Sequence, residues 1–245
     1  MGAVMARASS SGRRVLRVVV ILIAILVVYL GVAALWAYMV TPRVVMQAST
    51  PRLLDLGLLP APTVGILLRV EDPSFRTHHG IDPFAPGQGR VTISRALVHM
   101  LYLDRYDLTG VAGGLQSMYK LVDRIAGPVD LGPDAMALVV DARLGKNRQL
   151  QLFLQHVYMG RHGNRQIYGL PDAARAYFGK DPRQLSRRET VTLVAMMIGP
   201  NQFHPVRHPA ALAERVRRIE RLLQGGCKPR GLRDVHYRGC AAGAR

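Results

Sequence analysis

Residues 18–40 run 23 positions without a charged side chain. Wound as an α-helix, such a run reaches about 35 Å and is long enough to cross a bilayer. Arg7, Arg13, Arg14 and Arg17 stand immediately before it, and an excess of short-loop positive charge marks the cytoplasmic side. A cleaved signal peptide also begins with a basic region and an apolar run. Its core is only about 7–15 residues, however, and a small-residue cleavage pattern should follow promptly. The pattern here therefore predicts a basic cytoplasmic tail over residues 1–17, one transmembrane helix over 18–40, and an extracytoplasmic remainder. Trp36 and Tyr38, near the outer end, are expected in an interfacial aromatic belt.

About 200 residues remain, enough for one domain with a real core. Prolines 42, 51, 60 and 62 mark residues 41–62 as a membrane-proximal connector, which leaves a domain over 63–224 and a Gly/Arg-rich tail over 225–245. The formal charge of +17 is spread along the chain, and such a field favours lipid head groups, pyrophosphates and nucleic acids. An extracytoplasmic address argues against nucleic acid. Cys227 and Cys240 both lie in the tail, where an oxidising compartment permits a bridge and two free thiols are the alternative.

The domain reads as mainly α. Apolar residues at helical spacing (Ile93, Leu97, Met100, Leu101) predict a helix over 92–103 that Thr92 could cap. Further helices are expected over 135–144 and 149–158. A buried one is expected over 185–198, with Ser186 and Glu189 at capping-box spacing, and an amphipathic arginine-rich one over 210–223. Strand signals are scarce. The chemistry concentrates in one stretch, Glu71-Asp72-Pro73-Ser74-Phe75-Arg76-Thr77-His78-His79-Gly80, an acidic pair within a basic chain.

Read in order, the motifs resemble the peptidoglycan glycosyltransferase family, the transglycosylase module of penicillin-binding proteins and of monofunctional cell-wall transglycosylases. The first family motif, E-D-x-x-F-x-x-H-x-G, matches Glu71, Asp72, Phe75, His78 and Gly80. The second is similar to Gly89-Arg90-Val91-Thr92-Ile93-Ser94-Arg95-Ala96-Leu97, with Arg95 and Ala96 in place of two glutamines. The third, R-K-x-x-E, has no clean copy. One register keeps Lys120 and Asp123, and another, anchored on Lys146, brings Asp134 near the acidic position. The fourth resembles Phe153-Leu154-Gln155, with Gln155 where the family has asparagine. Tyr168-Gly169, the run from Ala173 to Lys180, and Pro200, Phe203 and Pro205 in P-x-x-F-x-P spacing complete the likeness.

The resemblance implies a lysozyme-like glycosyltransferase domain on the outer face of a bacterial inner membrane. It would join a lipid-linked disaccharide-peptide to a growing glycan chain held on a lipid pyrophosphate. A sugar 4-hydroxyl is a poor nucleophile, so a carboxylate within hydrogen-bond reach must take its proton; the resemblance gives that role to Glu71 and a second acidic role to Asp123. Asp72, Phe75, His78, Gly80, Thr92, Ser94, Arg95, Lys120 and Gln155 would bind substrate. Charge on the departing pyrophosphate must be met by Lys120, Arg95 or Arg90, or by a divalent cation. No transpeptidase module follows, so crosslinking is expected from a separate transpeptidase partner.

Each residue also has a plainer reading. Asp72 can hold a turn before Pro73, Phe75 can be core, His78 a hydrogen-bonded structural histidine, Thr92 a cap and Ser94 a surface hydroxyl. His78 and His79 lack a second ligand set spaced for a metal. Arg215, Arg217, Arg218 and Arg221 read as a solvated helix face. Asp123 is one methylene shorter than glutamate, and an ångström of misplacement can cost roughly a hundredfold in rate. Three functions therefore compete: the polymerising enzyme, an impaired relative that binds lipid intermediates or scaffolds the wall, and a glycan-cleaving enzyme with Glu71 as acid. Positive surroundings are expected to lower the Glu71 pKa, which favours the ionised base.

Overall fold

A 47-residue helix, α1 (Gly2–Ala48), frames the computed structural model, which describes residues 2–49, 53–89 and 91–243. Within it Gly12–Ala48 contains an 18-residue stretch of mean hydropathy 3.2, and among the described residues it is the one helix long and apolar enough to cross a membrane. Its two halves have different surroundings. From Val15 to Val28 the large apolar side chains are exposed, whereas Ala33, Trp36, Ala37, Val40, Thr41, Val44 and Ala48 are buried. Their spacing of three and four forms one stripe, as a helix packed along a core requires.

That stripe carries the helix into the domain. Trp36, expected in an interfacial belt, is instead 1% exposed. Its indole Nε1 donates to the Ala112 carbonyl at 3.0 Å, and its ring packs against Tyr102 and Tyr119. Tyr38 remains exposed under the Arg143 guanidinium. Residues 41–48, expected to open a connector, continue the helix through Pro42. Thr41 Oγ1 donates to Ala37 O, and the buried His156 Nε2 meets Ala48 O at 2.8 Å.

The domain then builds in chain order. α2 (Pro62–Glu71) starts on a proline suited to a first turn. It stops at Glu71 because Asp72 precedes Pro73 and takes an extended φ of −156°. α3 (Ile93–Leu97) is capped by Thr92, whose Oγ1 accepts from Arg95 N–H, and passes directly into a π-helical stretch, Val98–Arg105. α4 (Gly110–Ala126), α5 (Gly132–Arg143) and α6 (Lys146–His156) follow. A hairpin of β1 (Tyr158–His162) and β2 (Arg165–Tyr168) leads into α7 (Gly169–Phe178). α8 (Arg187–Met197) opens on the expected Ser186–Glu189 capping box, and α9 (Pro209–Leu223) completes the helices.

Position follows from burial. α8 is nearly enclosed, with Thr190, Val191 and every residue from Leu193 to Met197 buried, and it packs against both α2 and α9. The residue that ends α2, Glu71, therefore emerges where these helices meet. α1 lies along α5, and Tyr29 on α1 donates to Asp130 Oδ1 at 2.8 Å just before α5. Tyr29 sits eleven residues before the C-terminal end of the apolar run, about 16 Å along the helix axis. α4 packs there through Tyr119 and leaves Val111, Met118, Leu121 and Ile125 exposed at helical spacing. Such a stripe suits an amphipathic helix against acyl chains.

Residues 225–243 are folded back and closed by a disulfide between Cys227 and Cys240, thirteen positions apart. Closing a loop of that size is worth on the order of 3 kcal/mol in the chain-entropy picture.

If Trp36 anchors the membrane helix to the domain, Trp36→Ala removes a large buried ring and a hydrogen bond. It should cost about 3–5 kcal/mol in detergent-solubilised thermal or denaturant unfolding. Leu26→Ala, at an exposed position of the same helix, should leave the transition unmoved.

Candidate active site at the end of α2

Glu71 lines a pocket of about 420 Å³ with Gln88 and Gly89 from the loop before α3, Met100 from the π-helical stretch, Met197 from α8, Arg215 from α9 and Val235 from the stapled segment. The residue is half-buried, and its Oε1 is enclosed without a hydrogen-bond partner. Desolvation raises its pKa to about 7, against the opposing pull of the Arg215 guanidinium and with a smaller upward push from Asp72. The expectation that positive surroundings would lower this pKa is thus overturned, because burial outweighs the arginine. A carboxyl poised near neutrality suits proton transfer in either direction.

Arg215 was expected on a solvated face and is instead 1% exposed. It occupies the inward stripe of α9 with Leu212, Ile219 and Leu222, a placement readable from spacings of three, four and three. Its Nε donates to Ala195 O at 2.9 Å and its Nη1 to Val235 O at 3.0 Å. Its guanidinium lies over the Phe203 and Tyr237 rings. Burial lowers its pKa while Glu71 raises it, so each charge reduces the cost of burying the other. Arg217 behaves as expected of a solvated face, exposed and paired with Glu214.

Gln88 also escaped the sequence reading. It is 6% exposed, lines the same pocket, and has neither its Nε2 nor its Oε1 hydrogen-bonded within the protein. An orphaned amide and an orphaned carboxyl oxygen in one pocket are the donors and acceptors a polar ligand would satisfy.

The remaining first- and second-motif residues build the frame around Glu71. Asp72 is fully buried; its carboxylate faces His78 Nε2 at 3.0 and 3.2 Å and accepts from Ile93 N–H at 2.8 Å. His78 Nδ1 accepts from Gly80 N–H. Thr92 Oγ1 donates to Gly80 O at 2.6 Å. Gly80 has φ +96°, and a Cβ there would come within 2.4 Å of Ala137 O, so only glycine fits. Phe75 is core beneath Lys146, whose Nζ lies 4.9 Å from the ring centroid and donates to His78 O. Ser94, expected to face solvent if structural, is buried and donates to Gln149 Oε1 at 2.6 Å.

Neither candidate for the second acid lines the Glu71 pocket. Asp123 and Lys120 share a separate depression with Asp104 and Arg124. There Asp123 stands 3.7 Å from His99 Nδ1, and Lys120 pairs with Asp107. Asp134 pairs with Arg95 Nε at 2.7 Å and borders a smaller pocket against Leu30 of α1. Gln155 lines a shallow site with Arg105 and Tyr168. Arg90 lies outside the described residues. Among the described residues no group of three or more His, Cys, Asp or Glu is gathered at one place.

A carboxyl whose folded pKa is raised weakens the fold as it ionises. The stability it allows is fully present below its ordinary pKa of about 4.5 and falls as pH rises through about 7. Glu71→Gln should therefore match the wild type near pH 4 and exceed it by up to about 3 kcal/mol at pH 8. The chain has four glutamates, so carboxyl-¹³C labelling reads Glu71 directly. Its resonance should titrate near pH 7, and higher in Arg215→Gln.

The family model described as Transglycosylase matches residues 134–224, a span that excludes Glu71. Penicillin-binding protein 1B of Escherichia coli is 29% identical over 201 residues, covering 75% of this chain and 22% of that protein. The protein of the same name from Vibrio cholerae is 33% identical over 162 residues, 64% of this chain and 19% of that protein. The chain thus spans about a fifth of the length of these relatives. A Cupriavidus necator protein named a transglycosylase only provisionally is 27% identical over 198 residues, 76% of each chain. Together these matches support a divergent likeness to the peptidoglycan transglycosylase family, whose domain is lysozyme-like and mainly α, in line with the helical fold of this chain.

Proposed function

We propose that the protein is a membrane-anchored glycosyltransferase that polymerises a lipid-linked disaccharide into glycan strands, with Glu71 as general base. The observation that carries this reading is the pocket itself, where a carboxyl poised near pH 7 stands beside an unpartnered amide. In the reaction the acceptor 4-hydroxyl gives its proton to Glu71 as its oxygen bonds to the donor's anomeric carbon. The bond from that carbon to the pyrophosphate breaks, and its electron pair leaves with the lipid pyrophosphate. Displacement from the opposite face inverts the anomeric centre. Gln88 would hydrogen-bond the acceptor sugar, and Arg215 would hold the carboxylate form available at neutral pH.

The membrane placement fits a lipid-borne substrate. The basic residues before the span favour a cytoplasmic N-terminus, which puts the domain on the outer face with the apolar stripe of α4 turned to lipid. Both substrates would then reach the cleft without leaving the bilayer surface. A transpeptidase partner would crosslink the product.

A second reading is a lipid-intermediate binding or scaffold protein. It is favoured by one specific observation: Asp123 and Asp134 are engaged with His99 and Arg95, away from Glu71. Conversion of lipid-linked disaccharide-pentapeptide by the detergent-solubilised protein separates the two, with and without divalent cation. Polymer from the wild type, and a loss of at least about a hundredfold in Glu71→Gln, supports the enzyme. Binding of the lipid by both proteins without polymer from either establishes the scaffold.

A further inference from the structure

Residues 225–243 lie beyond the stretch matched by the family model, yet they reach directly onto the Glu71 pocket. We infer that this disulfide-stapled segment is a positioning element for the site, with Tyr237 and the Val235 carbonyl holding Glu71 and Arg215 in register from outside the helical domain. The catalytic consequence rests on the role proposed for Glu71; the positioning itself does not.

Three sets of contacts carry the inference. The Tyr237 hydroxyl donates to the carbonyl of Val70, the residue immediately before Glu71. The Val235 carbonyl takes one of the Arg215 N–H groups, and Val235 itself forms part of the pocket wall. The loop bearing Gln88 is clamped on both sides, by Gly87 N–H to Gly231 O at 3.1 Å and Gly89 N–H to Leu232 O at 2.9 Å. The approach is close: a Cβ on Gly87, at φ +79°, would fall 2.7 Å from Pro229 and 2.8 Å from Tyr237. One segment thus holds Arg215 directly and the residues that flank Glu71 and Gln88.

The segment is built to hold that pose. Tyr237 has φ +53° and is the one described non-glycine residue in the left-handed region, a conformation that persists where surrounding contacts over-determine it. Asp234 supplies such contacts by accepting from the backbone N–H groups of Arg230, Arg238 and Gly239. The Cys227–Cys240 bridge closes the loop around them. Freed from the bridge, the segment would cease to seal one wall of the pocket. Water would then reach Glu71, which otherwise faces Asp72, Arg215 and Tyr237, with Asp234 and Arg218 behind the arginine.

The test uses the full chain in detergent with carboxyl-¹³C glutamate. We expect reduction of the bridge, or Cys227→Ser with Cys240→Ser, to lower the Glu71 titration midpoint by about one pH unit or more. Polymer formation should lose about tenfold or more in kcat with little change in KM. Tyr237→Phe keeps the ring over Arg215 and deletes only the bond to Val70, so it should shift the midpoint the same way by a smaller amount. A merely structural segment would lower the melting temperature and leave the midpoint in place. An unchanged midpoint with both thiols shown free by alkylation and mass spectrometry overturns the proposal. So does simultaneous collapse of all four glutamate resonances on reduction, which would make the bridge a general stabiliser. Absence of polymer from the oxidised wild type would count against the proposed function alone, because the titration needs no substrate.

Discussion

A carboxyl group taken out of water resists ionising, and an arginine taken out of water is costly to leave unpaired. The arrangement at the end of α2 follows from placing both in one pocket. Glu71 is pushed up to about 7 by burial, and Arg215 limits that rise. Arg215 in turn is fixed by two carbonyls and two aromatic rings. α8 supplies one carbonyl, the stapled segment the other, and α9 the side chain itself, so three elements distant in sequence are held together by one buried guanidinium. The strain is confined to a carboxyl that gains stability when protonated, which is where a proton-accepting residue should sit.

The second organising fact is that the membrane helix does not stop at the domain. One face of its C-terminal half is core, with Trp36 hydrogen-bonded to Ala112 and the Ala33-to-Ala48 stripe enclosed. A packed junction of this kind would fix the depth at which the domain meets a bilayer. The exposed apolar stripe of α4 lies alongside the same stretch of α1. Under the proposed function, a domain seated this way would keep its clefts within reach of substrates whose lipid tails stay in the membrane.

Local chemistry was the legible part of the sequence. The Ser186–Glu189 box, the Thr92 cap and the amphipathic α9 depend on neighbours within a few residues, and they stand near the expected positions. α2, α4 and α7 carried weaker signals: α2 is a short apolar run ending on a charge, and α4 contains three glycines that dilute helix propensity. Tertiary facts were hidden. Nothing local distinguishes Trp36 in a core from Trp36 in an interfacial belt, since both call for a large amphipathic ring. Arg215 sits at core spacing, yet a single arginine on an apolar stripe looks like part of the surrounding arginine-rich face. The sign of the Glu71 shift was missed because net charge is visible in a sequence and desolvation is not. Gln88 lay one residue ahead of the second motif as it was matched, and only the fold brings it to Glu71.

In the proposed reaction Glu71 acts as a base from a pocket that holds its pKa near neutrality. The most direct test is the pH dependence of the initial rate of polymer formation at lipid-linked disaccharide well below KM, where the ionisation of the free enzyme is read. If Glu71 is that base, the rate rises with pH through a single ionisation near 7. A rate that is already maximal at pH 5, or that falls as Glu71 ionises, would contradict it, since the first means a carboxylate at its ordinary pKa and the second a group that works as an acid.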